Sequence, residues 1–534
     1  MKLFFKIEVA MFGLLLTSIV CAQSKDIFNV KDFGAIGDGV TLNTAALQSA
    51  IDKCSKTGGT VFFPAGKYLT GSLELKDDVT LYLDNGAAIL GSTNIADYQP
   101  HQPKMKSYND AFLRYSLFNA EGVKNISIEG EGIIDGQGGA FKVKTKIKPD
   151  RYKNRPFIIR FVECKNIKVE NVTLQNSAMW MQQYLACTGL RIHGIKVFNH
   201  ANQNNDMMDI DGCKDVIISD CTGDTDDDGI VLKSTSPSIT ENVVITNCIV
   251  SSHCNAIKMG TESTGGFRNV TISNMVVRPS KMKKVIFGYP EGTSGITLAT
   301  VDGGILEDVT ISNVIIDGPQ VPICLRLGNR ARKYTESAPT PGVGIFKNVI
   351  IDNVIAKNVG SIGCSITGIP NHKIENITLS NIKIIFGGGV KKEEYKTEVA
   401  EKEDNYPEGT MWGNLPAYGF YIRHAQGVKL DNVDISFDRI DERPAIVMDD
   451  VDGIKISGLN AAVGKNASSL IGINKSKDVC VQNSKSTGRT NAFVAVKDTN
   501  SKNIFLLGND LRNFNTPFIS KTGEQVKLIS NINF

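Results

Sequence analysis

The sequence carries almost no net charge: 59 lysines and arginines against 56 aspartates and glutamates leave a formal +3. Such a balance gives no global attraction for nucleic acid, and no nucleic-acid partner is expected. Long hydrophobic runs are missing beyond the first twenty residues, so no later segment reaches the ~18 apolar residues of a membrane helix. No two cysteines stand in a CxxC spacing, which leaves zinc without its usual ligand pattern. Helical periodicity is missing from most of the chain, as is the L-x-x-L-x-L-x-x-N phrase of leucine-rich repeats. Nothing calls for a cofactor.

What is present begins with an export signal. Lys2 and Lys6 precede a short apolar stretch from Val9 to Val20, and Val20-Cys21-Ala22 fits a small-residue cleavage site. Residues 1–22 are expected to be a signal peptide, with the mature chain starting near Gln23; acylation of Cys21 is the alternative, disfavoured by the bulky Val20. A secreted or periplasmic monomer follows as the expectation. Of the other cysteines, Cys164, Cys187, Cys248 and Cys364 lie in or beside apolar strand patterns and are expected to be small buried hydrophobes. Export leaves one or two disulfides open.

Residues 26–70 form a predicted cap. Leu47, Ala50 and Ile51 have helical spacing after a possible N-cap at Asn43 or Thr44. From about residue 125 the chain repeats a phrase: an Asn, Asp or Gly, then an alternation of apolar and other residues. It appears as Asn125-Ile126-Ser127-Ile128, Asn166-Ile167-Lys168-Val169, Asp215-Val216-Ile217-Ile218 and Asn269-Val270-Thr271-Ile272, and continues to Asn503-Ile504-Phe505-Leu506. Most steps are about 23 to 28 residues, the period of a solenoid. Short strands of period two without helices predict an all-β, right-handed parallel β-helix with an N-terminal capping helix, one domain over 23–534. The Asn or Asp opening each phrase is predicted to sit at a bend. A second strand family, including Met207–Asp211, Gly229–Lys233 and Ala256–Gly260, should build one face, with walls beside it from insertions at 137–156, 280–293, 318–342 and 388–418.

Aligning consecutive rungs of that face, with Met208 and Ile210 inward beneath Ile230 and Leu232, sets Asp206 under Asp228 at about one strand spacing, ~4.8 Å. Asp227 is its neighbour in sequence, and Asp209 and Asp211 face outward. Adjacent carboxylates raise at least one pKa, and glycoside hydrolysis needs one carboxyl protonated and another ionised. In this reading Asp206 and Asp228 hold a water and Asp227 is the acid. A calcium site using Asp209, Asp211, Asp220, Asp224 or Asp226 stays open on the residues alone, as do solvated turn acids.

At these residues the chain resembles glycoside hydrolase family 28, the pectin-degrading β-helix hydrolases. The resemblance also takes in Phe28 to Gly39 and Gly132-Ile133-Ile134-Asp135-Gly136-Gln137-Gly138. The family's Asn-Thr-Asp looks like Asn204-Asn205-Asp206, and its Asp-Asp pair like Asp227-Asp228. The resemblance implies inversion without metal or cofactor, Asp227 as general acid, and Asp206 and Asp228 positioning water. Two departures stand out. Asn255 replaces the family's histidine, with His253 two positions earlier, either turning toward the site or lying at a surface turn. Thr297-Leu298-Ala299 stands where the family's Arg-Ile-Lys holds a galacturonate carboxylate. A pectic substrate richer than plain homogalacturonan, rhamnogalacturonan or side-chain oligosaccharide, is therefore expected.

Candidate substrate contacts are Asn204, Asn255, Lys258, Lys233, Arg326 and His253, with Arg330 and Arg332 nearby. Arg suits carboxylate recognition. Lys142, Lys144, Lys146, Lys148, Arg151, Lys153 and Arg155 suggest a basic wall, and Trp412 and Tyr418 are either sugar platforms or buried anchors. The rival readings are a polysaccharide lyase and a non-catalytic glycan binder.

Overall fold

A computed structural model describes residues 26–109, 112–145, 147, 150–521 and 525–532. The expected signal peptide, together with Lys146 and Lys148, lies outside them. The chain winds as a right-handed parallel β-helix, the hand that parallel crossovers take. Through its middle each coil gives three strands, each pairing in parallel with its equivalent in the next coil. Leu190 and Ile192, for example, lie opposite Val216 and Ile218, and these lie opposite Val243 and Ile245. Alternation then sends every second side chain inward. The inward set forms one continuous apolar core from Val30 to Val526, each Ile, Val or Leu contributing roughly 1.5–3 kcal/mol on burial.

The repeated phrase marks corners. Asn125, Asn166, Asp215, Asn242, Asn269, Asp308, Asn348, Asn376, Asp478 and Asn503 all have φ between 54° and 58°. Asn and Asp tolerate this left-handed region better than other residues with a Cβ. Their side chains stack into a ladder: Asn269 Nδ2 donates to Asn242 Oδ1 at 3.0 Å, and Asn242 Nδ2 to Asp215 Oδ1 at 2.9 Å. A parallel ladder runs at the next corner, through Asn247, Asn274, Asn313 and Asn353.

Helix α1 (Thr44–Cys54) covers the amino-terminal end of the stack, burying Leu47, Ala50, Ile51 and Cys54. Asn43 makes no side-chain cap bond to it; its amide instead ties Ile36 and Thr41. The face that bears the acids consists of β1 (Met208–Asp211), β2 (Ile230–Ser234), β3 (Asn255–Ser263), β4 (Ser294–Thr300) and β5 (Val321–Leu327). All described cysteines are free, and nine of the ten are buried, so none of the possible disulfides forms among them.

The corner ladder yields a direct test. Asn313 has φ 57°, donates to Asn274 at 3.1 Å and accepts from Asn353 at 2.7 Å. Asn313→Ala should cost about 1–2 kcal/mol from the backbone conformation alone, plus the ladder bonds. Asn313→Gly should lose only the bonds. Thermal unfolding at a fixed scan rate should rank wild type above Gly above Ala; Ala as stable as Gly would contradict this account.

Candidate active site

The strand register builds the acidic cluster. Met208 pairs with Ile230, Asp209 with Val231 and Asp211 with Lys233. Met207 N–H donates to Asp228 O at 3.0 Å, which carries the register back and sets Asp206 level with Asp228. Asp228 has both carboxylate oxygens engaged. Oδ2 accepts from Lys258 Nζ at 2.7 Å, while Oδ1 accepts from Asn255 Nδ2 at 2.6 Å and from its backbone N–H at 3.1 Å. Asp227 is held more loosely. Asn204 Nδ2 reaches its Oδ2 at 3.4 Å, and the Asp228 N–H donates to its Oδ1 at 3.0 Å. Arg151 and Arg155 both donate to Asn204 Oδ1, which fixes the amide with its nitrogen toward Asp227.

Lys233 Nζ is shared among acids, at 3.8 Å from Asp206, 3.4 Å from Asp209 and 3.6 Å from Glu262. It also lies 4.4 Å from the centroid of the Trp180 ring. Asp206 Oδ1 and both oxygens of Asp209 are buried without a hydrogen-bond partner. These environments separate the carboxyls. Burial and the charge of Asp228 push Asp227 up to about 7, against the pull of Lys258 and Lys233. Burial also works against ionised Asp228, but Lys258, Lys233 and the Asn255 bond outweigh it and hold that carboxyl below its usual range. Asp206 is raised well above its usual range by burial, Asp209 and Asp227. One neighbouring acid is thus poised to carry a proton near neutrality and the next to stay ionised.

The cluster floors a cavity of about 490 Å³. Arg151 and Tyr152 come from the 137–156 insertion, Phe287 and Tyr289 from 280–293, Arg332 from 318–342, and Tyr406, Glu408 and Thr410 from 388–418. With this geometry in view, the sequence profile of the glycosyl hydrolases family 28 matches residues 54–404. The chain belongs to glycoside hydrolase family 28. It is a glycosyl hydrolase. A probable polygalacturonase of Vitis vinifera is 28% identical over 425 residues, 73% of this chain and 83% of its own length. An exo-poly-alpha-D-galacturonosidase of Dickeya chrysanthemi is 31% identical over 258 residues, 47% of this chain and 40% of its own length. A hyperthermoactive exopolygalacturonase from Thermotoga maritima has a TM-score of 0.59 at 21% identity, covering 77% of this chain and 92% of that one. At that identity the last is a likeness of fold. No helix among the described residues is long and apolar enough to cross a membrane.

Several expected substrate contacts of this family 28 hydrolase lie elsewhere. Asn255 is buried, its amide spent between Asp228 and the Thr297 hydroxyl, which donates to Asn255 Oδ1 at 3.0 Å. Lys258 is buried between Asp228 and the Tyr406 hydroxyl, at 2.7 and 2.9 Å. Both position Asp228. His253 neither meets the cavity nor lies at a surface turn. It is fully buried, with Nδ1 3.0 Å from Asp226 Oδ1 and Nε2 3.2 Å from Met282 O. Burial opposes its protonation, but the Asp226 carboxylate and Met282 carbonyl raise its pKa. Asp226 also accepts the Ile286 and Phe287 backbone N–H groups, so the pair clamps the 280–293 wall. Arg326 is buried too, donating to the carbonyls of Gly368, Glu401 and Lys402 beneath the Trp412 ring. It anchors the 388–418 wall. Arg330 is bound to Asp302, and Tyr418 is packed in the core between Phe386 and Phe437.

Of the suggested calcium ligands, Asp211, Asp220, Asp224 and Asp226 are committed to protein partners, whereas Asp209 has only Lys233 beside it. Asp211 accepts from Thr235 and Gln183, and Asp224 from Ser280, Lys281 N–H and His200. Asp227, Asp228 and Cys254 bring ligand atoms within 4.8 Å of one another, but Lys258 already occupies Asp228 Oδ2.

Sequence reasoning missed Trp180, Glu262, Tyr406, Glu408, Tyr108, Asn109, Phe112 and Leu113. Trp180 was within reach of the same alignment, since Met181 N–H donates to Asp206 O at 3.1 Å, one rung below the acids. Tyr108 and Phe112 had no comparable signal, lying ahead of the repeats.

If Arg326 anchors its wall, Arg326→Ala removes charge-assisted bonds worth about 1.5–3 kcal/mol each. Limited proteolysis within 388–418 should then accelerate by at least about tenfold, with the rest of the solenoid protected. Unchanged cleavage there would show that the wall docks without it.

Proposed function

We propose that this hydrolase cleaves an α-galacturonosidic or related bond in a pectic glycan with inversion, preferring rhamnogalacturonan or side-chain oligosaccharides over plain homogalacturonan. The observation that carries the substrate preference lies on β4. Thr297 stands opposite Lys258 and Leu298 opposite Met259, and neither Thr297, Leu298 nor Ala299 offers a cation to a uronate. Lys258, the nearest lysine by register, is spent on Asp228.

The roles follow from the separated carboxyls. Asp227, raised to about 7, donates its proton to the leaving glycosidic oxygen. Asp228, held ionised by Lys258, takes a proton from the attacking water. Asp206 shares that water. Its raised pKa makes it the neutral partner of the pair, accepting or donating one hydrogen bond while Asp228 supplies the charge. Asn204 orients Asp227, while Asn255 and Lys258 orient Asp228. Bond breaking and water attack on opposite faces of the sugar give inversion. Tyr289, exposed at the cavity, offers an apolar ring face to the sugars.

Product profiles on homogalacturonan, rhamnogalacturonan I and their oligosaccharides test the preference: little release from plain homogalacturonan is expected, and brisk cleavage there would refute it. Asp227→Asn should cut kcat by about 10²–10⁴-fold; unchanged cleavage would favour a non-catalytic binder or another site. An unsaturated, ultraviolet-absorbing product would identify a lyase.

The acid assignment fixes a pH dependence. Asp227 must hold its proton, so kcat should fall as pH rises through about 7. Asp228 must be ionised, so its loss appears only on the acid side, below the usual carboxylate range. In Lys258→Met the Asp228 pKa rises, and the acid limb should move to higher pH while the alkaline limb persists. An acid limb that stays in place would remove Lys258 from this role.

A further inference from the structure

Two charged groups lining the cavity have no oppositely charged partner among the described residues, one reaching Asp227 through Asn204 and the other next to Tyr406. Lys233 is engaged with Asp206, Asp209 and Glu262, and Arg332 with Glu262 at 2.8 Å. Arg151 has no acidic partner among the described residues. Its guanidinium lies 5.0 Å from the Phe287 ring centroid, its Nη2 makes a 3.4 Å contact with Asn204, and its Nε is buried without a partner. It sits on the Asp227 side, since Asn204 touches both groups.

Glu408 is the converse. It lines the cavity half-buried, and its carboxyl makes no hydrogen bond or ion pair among the described residues. It stands beside Tyr406, whose hydroxyl accepts from Lys258, the lysine held by Asp228; burial pushes its pKa up, against the pull of Lys258. Its backbone is pinned: Glu408 N–H donates to Tyr406 O, and Met411 N–H to Glu408 O, both at 3.0 Å. Next to it, Gly409 lies against β5 so closely that a Cβ there would meet the Val321 side chain at 3.1 Å. The Tyr406 hydroxyl is tied to Lys258 at 2.9 Å, while 47% of the residue stays exposed. Tyr406 and Glu408 both lie beyond the 54–404 span that the family profile matches.

We infer that Glu408 is a specificity-determining residue: with Arg151 it sorts the two sugars flanking the scissile bond, a uronate toward Arg151 and a neutral sugar toward Glu408. The inference rests on the proposed hydrolysis of a pectic glycan. A carboxylate without a cation partner repels a second carboxylate brought beside it. The same oxygens accept hydrogen bonds from the hydroxyls of a neutral sugar, and the exposed Tyr406 ring gives that sugar an apolar face. Arg151, with its Nε unpartnered, has donors to spare for a carboxylate. Glu408 thus acts in the same direction as the absence of cations at Thr297 and Ala299. The substrate class that fits is a glycan in which a uronic acid alternates with a neutral sugar.

The test compares kcat/KM for an alternating rhamnogalacturonan oligosaccharide and for trigalacturonate, in wild type, Glu408→Gln, Glu408→Lys and Arg151→Gln. Removing the charge in Glu408→Gln should shift the ratio of the two values about tenfold toward trigalacturonate, and Glu408→Lys should shift it further. Arg151→Gln should raise KM for both substrates. An unchanged ratio in Glu408→Gln, or an equal fall on both substrates, would overturn the inference and leave the proposed hydrolysis standing. If Glu408→Lys does not fold, Glu408→Gln decides. If wild type cleaves neither oligosaccharide, the proposed function fails and Glu408 is read from binding. Calorimetric affinities of the two oligosaccharides for Asp227→Asn, with and without Glu408→Gln, should then show the same shift in ratio, and an unshifted ratio overturns the inference.

Discussion

Every feature of the site depends on the parallel register between one coil and the next. A strand of period two, stacked in register, leaves its inward residues no choice but the core and its outward residues no choice but the face. Once Met208 lies under Ile230, the position of Asp206 relative to Asp228 is a matter of backbone hydrogen bonds. The site needs no specially shaped loop to bring its acids together. It needs the register not to slip, because a slip of one residue would turn Met208 and Ile210 out and Asp209 in. The left-handed Asn corners and their amide ladders oppose such a slip, since each corner residue is bonded to its counterpart one rung away.

What the register concentrates, the lysines must neutralise. Asp206, Asp209, Asp227 and Asp228 are all buried or nearly so, and a buried carboxylate without a partner gives up its charge. Two lysines serve these four acids, and they serve them unequally. Lys258 commits to Asp228 at hydrogen-bond distance, while Lys233 stands at 3.4 to 3.8 Å from Asp209, Glu262 and Asp206. That inequality is what parts the carboxyls, with the pKa of Asp228 lowered and those of Asp206, Asp209 and Asp227 raised. Breaking either lysine contact leaves an uncompensated buried charge, so the same pairs that tune the site also hold it together.

The repeating layer was legible and the inserted layer was not. Alternation and the recurrent Asn or Asp predicted the coils, their corners and the vertical pairing of Asp206 with Asp228, because these depend only on residues one rung apart. His253 and Arg326 were misread for the opposite reason. Their partners, Met282 in one case and Glu401 and Lys402 in the other, arrive from insertions whose landing points the repeat does not encode. Lys258 was placed correctly on the face, yet its pairing with Asp228 and Tyr406 makes it a support. Trp180 required only that the alignment run one rung further down. Tyr108 required knowing that its backbone N–H would reach Thr235 O, a contact between segments far apart in sequence.

That division has a functional consequence. In a solenoid each coil contacts chiefly its neighbours, so a wall can be inserted at one coil without disturbing the acids two coils away. Clamps then secure each wall separately: Asp226 and His253 hold 280–293, and Arg326 holds 388–418. The acids belong to the stack, which the family profile matches, whereas Tyr406 and Glu408 stand on a wall that extends past it. A change of sugar therefore demands no change in Asp206, Asp227 or Asp228. It demands only that a wall present different groups to the cavity, and here the 388–418 wall presents the carboxyl of Glu408.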